Sequence, residues 1–387
     1  MHFLILGARA PACLEWARAI QSQGWKVTIA DSLLWPMSKF SAAGKNFVRL
    51  PEPRQNTQQW LDAIQTIVIQ KKIDWVIPTC EEVFYLAWGA EQLNPFCRLF
   101  TGDFNLLKHL HHKGMFADMT RNWCIQAPES FLINNRTELN LFLDRSKNFV
   151  FKPAYSRFAA QTLICPDQIQ LDLILPTIES PWIAQQFIQG KEHCSFSVIQ
   201  NGQAIAHSCY HPKYRVGKGS GIYFEVTHSP EILEFIKQFA RETAYTGQVG
   251  FDFIESNNGK IYVLECNPRA TSGVHLFNDQ PQALTHIFHR AEPSLYQPTS
   301  KPRMSSMAMI LFAMKKQGWK KEFWQDLNRA EDIISHTGEH KPHYAQLLCL
   351  VEMLARAFRY RKGLLAAVTS DIEWDGQAIQ GTPICEK

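Results

Sequence analysis

Three side chains of different chemistry stand at alternate positions in the stretch GKIYVLECNPR: the carboxylate of Glu265, the carboxamide of Asn267 and the guanidinium of Arg269. They follow the apolar, β-prone run 261–264. Side chains alternate across a strand, so positions i, i+2 and i+4 share one face. Strands often end in polar residues because the chain meets solvent there, yet a common face makes this group a small polar site. The oxygen donors of the first two suit Mg²⁺, which usually shares its shell with substrate phosphates. A guanidinium beside them can grip a phosphate or carboxylate through two parallel N–H bonds. Cys266 should point to the opposite face and pack in the core.

The elements that must position this face belong to a chain of 387 residues with 45% hydrophobic content, enough for two or three folded domains. The charge of +4 comes from 40 basic against 36 acidic residues without a long basic run, so nucleic acid is not an expected partner. Ten cysteines without a C-x-x-C pair read as reduced thiols and not as a disulfide frame or zinc site. The apolar residues before Gly7 are too few for a signal-peptide core. The apolar run 307–314 is far shorter than the roughly 20 residues a membrane span requires. The expectation is a soluble, cytoplasmic protein with no membrane span.

Strand signals at 3–6, 25–30 and 74–78 alternate with helical patterns over 12–23 and 57–71, which predicts a parallel sheet with helices on its faces. Gly7 and Asp31 follow the first two strands in the manner of a dinucleotide fold. A G-x-G-x-x-G fingerprint would need glycines where Arg9 and Ala12 stand, so that reading is set aside. Glu81 and Glu82 close the third strand, where they either face a substrate or begin the next helix. From about 109 to 295 strand-like runs at 148–154, 181–188, 192–199, 203–211, 248–255 and 260–266, with NG and NNG turns, imply antiparallel sheets. Beyond about 300 the patterns turn helical, over 318–332 and 343–361. The amphipathic segment 345–363, with its basic end, is expected to be a core helix and not a membrane-surface one.

Together these residues resemble the ATP-grasp superfamily, in the branch that includes biotin carboxylase and the large chain of carbamoyl-phosphate synthetase. The resemblance runs over about 109–280 and is carried most specifically by GFDFIESNNGKIYVLECNPR. It implies an α/β and α+β fold: an N-terminal parallel α/β domain of the kind that precedes ATP-grasp modules (1–108) and a two-lobed ATP-grasp domain with antiparallel sheets (109–298). The C-terminal region (299–387), mainly helical by its pattern, lies outside the resemblance. The resemblance also implies two Mg²⁺ ions, with Mn²⁺ as a substitute, held against ATP: one by Asp252 and Glu265, the second by Glu265 and Asn267. Arg269 would steady a phosphorylated intermediate.

Lys152 in FVFKPA falls where the family has the strand lysine that touches the α- and β-phosphates, and Lys113 in HLHHKGMF corresponds to an earlier family lysine. The family usually has an acidic residue at 112, where this chain has His. The cluster His109, His111 and His112 is expected to form a solvent-facing turn and not a metal site. QQFIQGKE resembles the hinge strand, so the backbone of Gln185, Gln186, Phe187 and Ile188 would meet adenine and Glu192 the ribose. After Lys152 the family commonly has a glycine-rich loop, whereas AYSRFAAQ has none, and Arg157 is its only cation. Arg157 is therefore expected to lie over the phosphates. The glycines of YRVGKGSGIYFE (214–225) suit either a loop at the acyl phosphate or a hairpin tip.

The function implied is an ADP-forming ligase that activates a small-molecule carboxylate as an acyl phosphate for attack by an amine. Lys152 and Arg269 would stabilise the transferring phosphoryl group, and a homodimer is compatible with the sequence. A carboxylase or carbamoyl-phosphate-type enzyme that phosphorylates bicarbonate is the alternative on the same fold. The glycine-free loop keeps a non-catalytic nucleotide-binding module open.

Overall fold

The computed structural model describes residues 1–387 except 157–160, 218, 290–293, 337, 362 and 380–387. Strands β1 (His2–Leu6), β2 (Lys26–Asp31), β3 (Phe47–Arg49), β4 (Trp75–Ile77) and β5 (Arg98–Leu99) form a parallel sheet in the order β3-β2-β1-β4-β5. Helices α1 (Pro11–Ser22), α2 (Thr57–Lys71) and α3 (Glu82–Trp88) connect its strands. Phe3, Leu4 and Ile5 are fully buried in succession, as a central parallel strand covered on both faces requires.

Gly7 has a positive φ of 75°, and a Cβ there would sit 2.5 Å from Thr79 Oγ1. The first turn thus needs glycine to approach the turn after β4. Arg9 and Asp31 bond each other, with the Arg9 amide donating to Asp31 at 2.7 Å and the guanidinium at 2.6 Å. The acid that a dinucleotide ribose would need is already taken.

Two antiparallel sheets follow. The smaller, in the order β6-β9-β7-β8, comprises β6 (Ser130–Ile133), β7 (Phe149–Pro153), β8 (Leu163–Ile164) and β9 (Trp182–Gln186), and helix α4 (Lys113–Met119) precedes it. The larger is built on β10 (Gly190–Gln200), β11 (Gln203–Val216), β12 (Ser220–Thr227), β13 (Gly247–Ser256) and β14 (Ile261–Asn267). The two-residue strands β15 (Arg303–Met304) and β16 (Glu331–Asp332) extend it to the order β14-β13-β10-β11-β12-β15-β16. Asn201 and Gly202, both at positive φ, make the tight turn between β10 and β11. Helix α5 (Pro230–Thr243) is capped by Ser229 and buries Ile232, Phe235, Ile236 and Phe239, the i, i+3, i+4, i+7 stripe.

Parallel and large antiparallel sheets share a core in which Phe3, Ile5 and Trp16 cluster with Phe196, Val198 and Phe277. Gln248 on β13 ties them by accepting from Trp16 Nε1 at 2.7 Å and donating to Pro78 O at 2.8 Å. The strand that carries Asp252 is thereby fixed to the mouth of the parallel sheet.

Helix α6 (Lys341–Tyr360) is followed by α7 (Leu364–Thr369) and a segment that crosses back over the carboxyl ends of β1 and β2. Asp371 receives Arg9 Nη1 and Nη2 at 2.7 Å, and Ser32 donates to it as well. Trp374 stacks on Phe84, with ring centroids 5.0 Å apart, and packs on His111 and Tyr155.

Several expectations are corrected. His111 and His112 are buried and do not form a solvent-facing turn, because His111 is enclosed by Phe84, Tyr155 and Trp374. Of the two readings of 214–225 the hairpin holds, since β11 runs on to Val216 and pairs there with Ser220 of β12. The helical pattern 318–332 gives only the helix Lys321–Arg329 before the chain joins the sheet as β16. Helix α6 is not a core helix. It buries Ala345, Cys349 and Glu352, while Tyr344, Leu347, Val351, Leu354 and Phe358 face outward.

Candidate active site

Antiparallel pairing of β13 and β14 sets Asp252 opposite Glu265 and Gly250 opposite Asn267, so the carboxylates and the amide share one patch. Asn267 Nδ2 donates to Asp252 Oδ2 at 3.2 Å. Arg269 holds the other end of that amide, with Nη2 donating to Asn267 Oδ1 at 3.0 Å, while its Nε lies 3.5 Å from Glu81 Oε1. Glu81 therefore faces Arg269 across the boundary with the parallel sheet. Glu82 begins α3, and its carboxylate accepts from the Thr79 and Cys80 amides. Cys266 is buried among core residues, as strand alternation requires.

Both lysines reach the same patch. Lys113, at the start of α4, is buried, donates to Ser156 O at 3.1 Å and sits 3.5 Å from Glu265. Its helix is capped by His112, whose Nδ1 accepts from the Met115 amide at 3.1 Å. A neutral imidazole thus fills the acceptor role an acidic residue would have at 112. Burial lowers the pKa of His112, consistent with that neutral form. Lys152 extends from β7 to donate to Gln185 Oε1 at 3.0 Å and Leu264 O at 3.4 Å. Burial brings its pKa down to about 8, against the opposing pull of Glu265.

Burial, and then the facing Glu265, push the Asp252 carboxyl up, whereas Lys113 and Lys152 hold Glu265 down against its own burial. Two carboxylates so close repel each other, and a hard divalent cation between them would relieve that repulsion. Among the described residues no group of three or more His, Cys, Asp or Glu side chains forms a metal cage. The donor set is instead two carboxylates and the Asn267 amide, which fits a cation that draws the rest of its shell from phosphate oxygens and water.

The stretch 185–188, expected to meet adenine, adjoins this patch through Gln185. Gln185 is buried and links two sheet neighbours, accepting from Lys152 and donating to Ser130 Oγ at 3.1 Å. The Gln186 amide already donates to Glu129 O and the Phe187 amide to Asn148 O, both at 2.8 Å. An adenine edge would therefore use carbonyls here or the Ile188 end of the strand. Glu192 on β10 is ion-paired with Arg215. Arg157 lies outside the described residues.

Sequence reasoning left three participants unassigned. Gln185 was given only a backbone role at adenine, although strand alternation sets its amide on the same face as Ile183. Arg215, which pairs with Glu192 and has its pKa lowered by burial and raised by Asp252, was read as part of a glycine-rich loop. The wall formed by His111, Tyr155 and Trp374 comes from three distant segments, and no local pattern announces it.

Residues 112–273 match the family model described as an ATP-grasp domain. Over 229 residues the chain is 26% identical to an uncharacterised protein of Methanocaldococcus jannaschii, covering 55% of each. Over 137 residues it is 28% identical to the arginine-specific carbamoyl phosphate synthase large chain of Bacillus subtilis, covering 32% of this chain and 13% of that one. The chain thus spans about half, or much less, of the length of these curated relatives. The L-amino acid ligase of Bacillus licheniformis superposes with a TM-score of 0.55 at 16% identity, over 74% of this chain and 70% of that one. N5-carboxyaminoimidazole synthetase of Staphylococcus aureus gives 0.61 at 14% identity, over 83% and 86%.

Proposed function

We propose that the ATP-grasp domain at residues 112–273 makes this chain an ADP-forming, Mg²⁺-dependent ligase that activates a carboxylate as an acyl phosphate for attack by an amine. The observation that carries the reading is the convergence of Lys113, Lys152 and Arg269 on the face of Asp252, Glu265 and Asn267. That is an arrangement of fixed positive charge around a cation-binding pair, suited to a triphosphate. The names of the structural neighbours, a ligase and a synthetase, support ligation.

In this reading Asp252, Glu265 and Asn267 would hold Mg²⁺, one ion or two, which would neutralise phosphate charge. Lys152, kept in place by Gln185 and Leu264 O, and Lys113, kept by Ser156 O, bind the phosphates. A substrate carboxylate oxygen attacks the γ-phosphorus, the bond to the β,γ-bridging oxygen breaks and ADP leaves. Arg269, already oriented by Asn267 and Ala270 O, stabilises the acyl phosphate. An amine then adds to the acyl carbon, the carbon–oxygen bond to the phosphate breaks, and the departing phosphate takes up the proton that the amine nitrogen releases. Adenine is assigned to the Gln185–Ile188 backbone and the ribose to Glu192, which must release Arg215 to accept it.

The test is hydroxylamine trapping with Mg²⁺-ATP and a panel of carboxylic acids, reading hydroxamate and nucleotide. One acid should give hydroxamate with stoichiometric ADP. AMP with pyrophosphate, or no ATP consumption with any acid, would overturn the proposal. The match to a carbamoyl phosphate synthase chain favours bicarbonate as the second candidate acid, so ATP turnover with bicarbonate alone belongs in the panel.

A further inference from the structure

Besides the outward face of α6, the segment between β15 and β16 carries an exposed apolar patch of its own. It contains a helical stretch that widens to a π-turn at Met309–Ala313, a bend at Gly318 and the helix Lys321–Arg329. Met309, Ala313 and Phe323 anchor it in a cluster with Tyr223 and Met304. The wide turn leaves Ile310, Leu311 and Phe312 exposed in succession, and Met314, Trp319 and Trp324 join them, Trp319 at 81% exposure. Both indoles are pinned by their own segment: Trp319 Nε1 donates to Lys316 O and Trp324 Nε1 to Gly318 O. Proteins that remain in solution as single copies rarely expose a contiguous apolar patch of this kind.

Charge identifies the occupant. Lys315, Lys316, Lys320 and Lys321 are exposed among these apolar residues, and none of them pairs with a carboxylate among the described residues. The acids of the segment already have partners, since Lys213 binds both the exposed Glu322 and the buried Asp326, and Tyr214 donates to Asp326. What remains facing outward is tryptophan, aliphatic side chain and uncompensated lysine. That combination suits the boundary between acyl chains and anionic headgroups. A second copy of this chain is disfavoured, because a two-fold contact would set the lysines against themselves. Among the described residues no helix is long and apolar enough to cross a membrane, so contact would be with the surface.

We infer that the 306–324 segment docks this protein on an anionic lipid bilayer, with Trp319, Trp324 and the 310–312 turn entering the interface and the four lysines engaging headgroups. The test is flotation of the full chain with vesicles of phosphatidylcholine alone or mixed with phosphatidylserine, at low and high salt. The chain should float with the mixed vesicles at low salt and be released by high salt. Reversing the charges (K315E, K316E, K320E and K321E together) should lower vesicle affinity by more than roughly tenfold, and W319S with W324S should also weaken it. Because these side chains are exposed, circular dichroism melts should match wild type. Absence of flotation with mixed vesicles, equal binding to neutral vesicles or indifference to charge reversal would each overturn the proposal. So would a change in the sedimentation of the W319S/W324S chain without lipid, which would identify a second copy as the occupant.

Discussion

Lys152 is a buried ammonium whose nearest acceptors are neutral, Gln185 Oε1 and Leu264 O. Removing the amide leaves a buried charge with one partner fewer, and hydrogen bonds to charged groups contribute about 1.5–3 kcal/mol. Gln185→Leu should therefore raise KM for ATP or lower kcat/KM by roughly ten- to a hundredfold, while Gln185→Glu, which keeps an acceptor, should retain more activity. Steady-state kinetics with ATP varied decides this, and an unchanged Gln185→Leu enzyme would remove Gln185 from the site. Glu265→Gln should abolish nearly all ATP turnover, because it takes one charge from the cation pair and leaves Lys113 without its carboxylate. Turnover within a few-fold of wild type would refute that role. The shared placement of Glu265, Asn267 and Arg269 was legible in the sequence because strand alternation alone puts them on one face. Burial of His111 and His112 was not, because the residues that enclose them come from positions 84, 155 and 374.

Among the elements, the α7 strap is held to the parallel sheet by charge. Although burial opposes it, Arg9 holds Asp371 down at a pKa of about 2, below its usual 3.8. A carboxyl depressed by folding stabilises the native state above its unfolded pKa, and that contribution fades as pH falls through the folded value. For Asp371 it amounts to about 2 kcal/mol, present above about pH 4 and lost towards about pH 2. Asp371→Asn should thus be less stable than wild type in urea melts near neutral pH, and the gap should narrow on acidification. A gap constant down to about pH 2.5 would show that Asp371 acts by packing and not by charge. In the first hundred residues β1, β2, β4, α1 and α2 were readable because each carries its own pattern, whereas the short β3 and β5 went unmarked. β15, β16 and the strap were not readable: two-residue strands have no period, and the strap's partners lie far off in the chain, Arg9 at 362 positions from Asp371.

At the scale of the whole molecule Asp252, Glu265 and Asn267 belong to one antiparallel sheet, Lys152 and Gln185 to another, and Glu81 to the turn after β4 of the parallel sheet. A ligand that joins these parts stabilises only the folded arrangement. Saturating Mg²⁺-ATP should raise the melting temperature, with a free-energy gain of about 2.7 kcal/mol at a hundred times Kd, and ATP with a chelator should give much less. No shift at millimolar Mg²⁺-ATP would count against nucleotide binding here. Strand patterns made the antiparallel architecture legible, but Gln248 as the tie between sheets was invisible, since its partners Trp16 and Pro78 lie in other elements. The strap also bears on how the protein is made. Arg9 and Asp31 leave the ribosome early, while Asp371 follows only after 339 further residues beyond Ser32, the separation of their hydrogen bond. Until then the guanidinium has half its final anionic partners, and a buried charge missing a partner is costly. The first sheet is therefore translated first but fastened late, so nascent chains halted before residue 371 should be cut by protease at the β1–α1 turn while released chains resist.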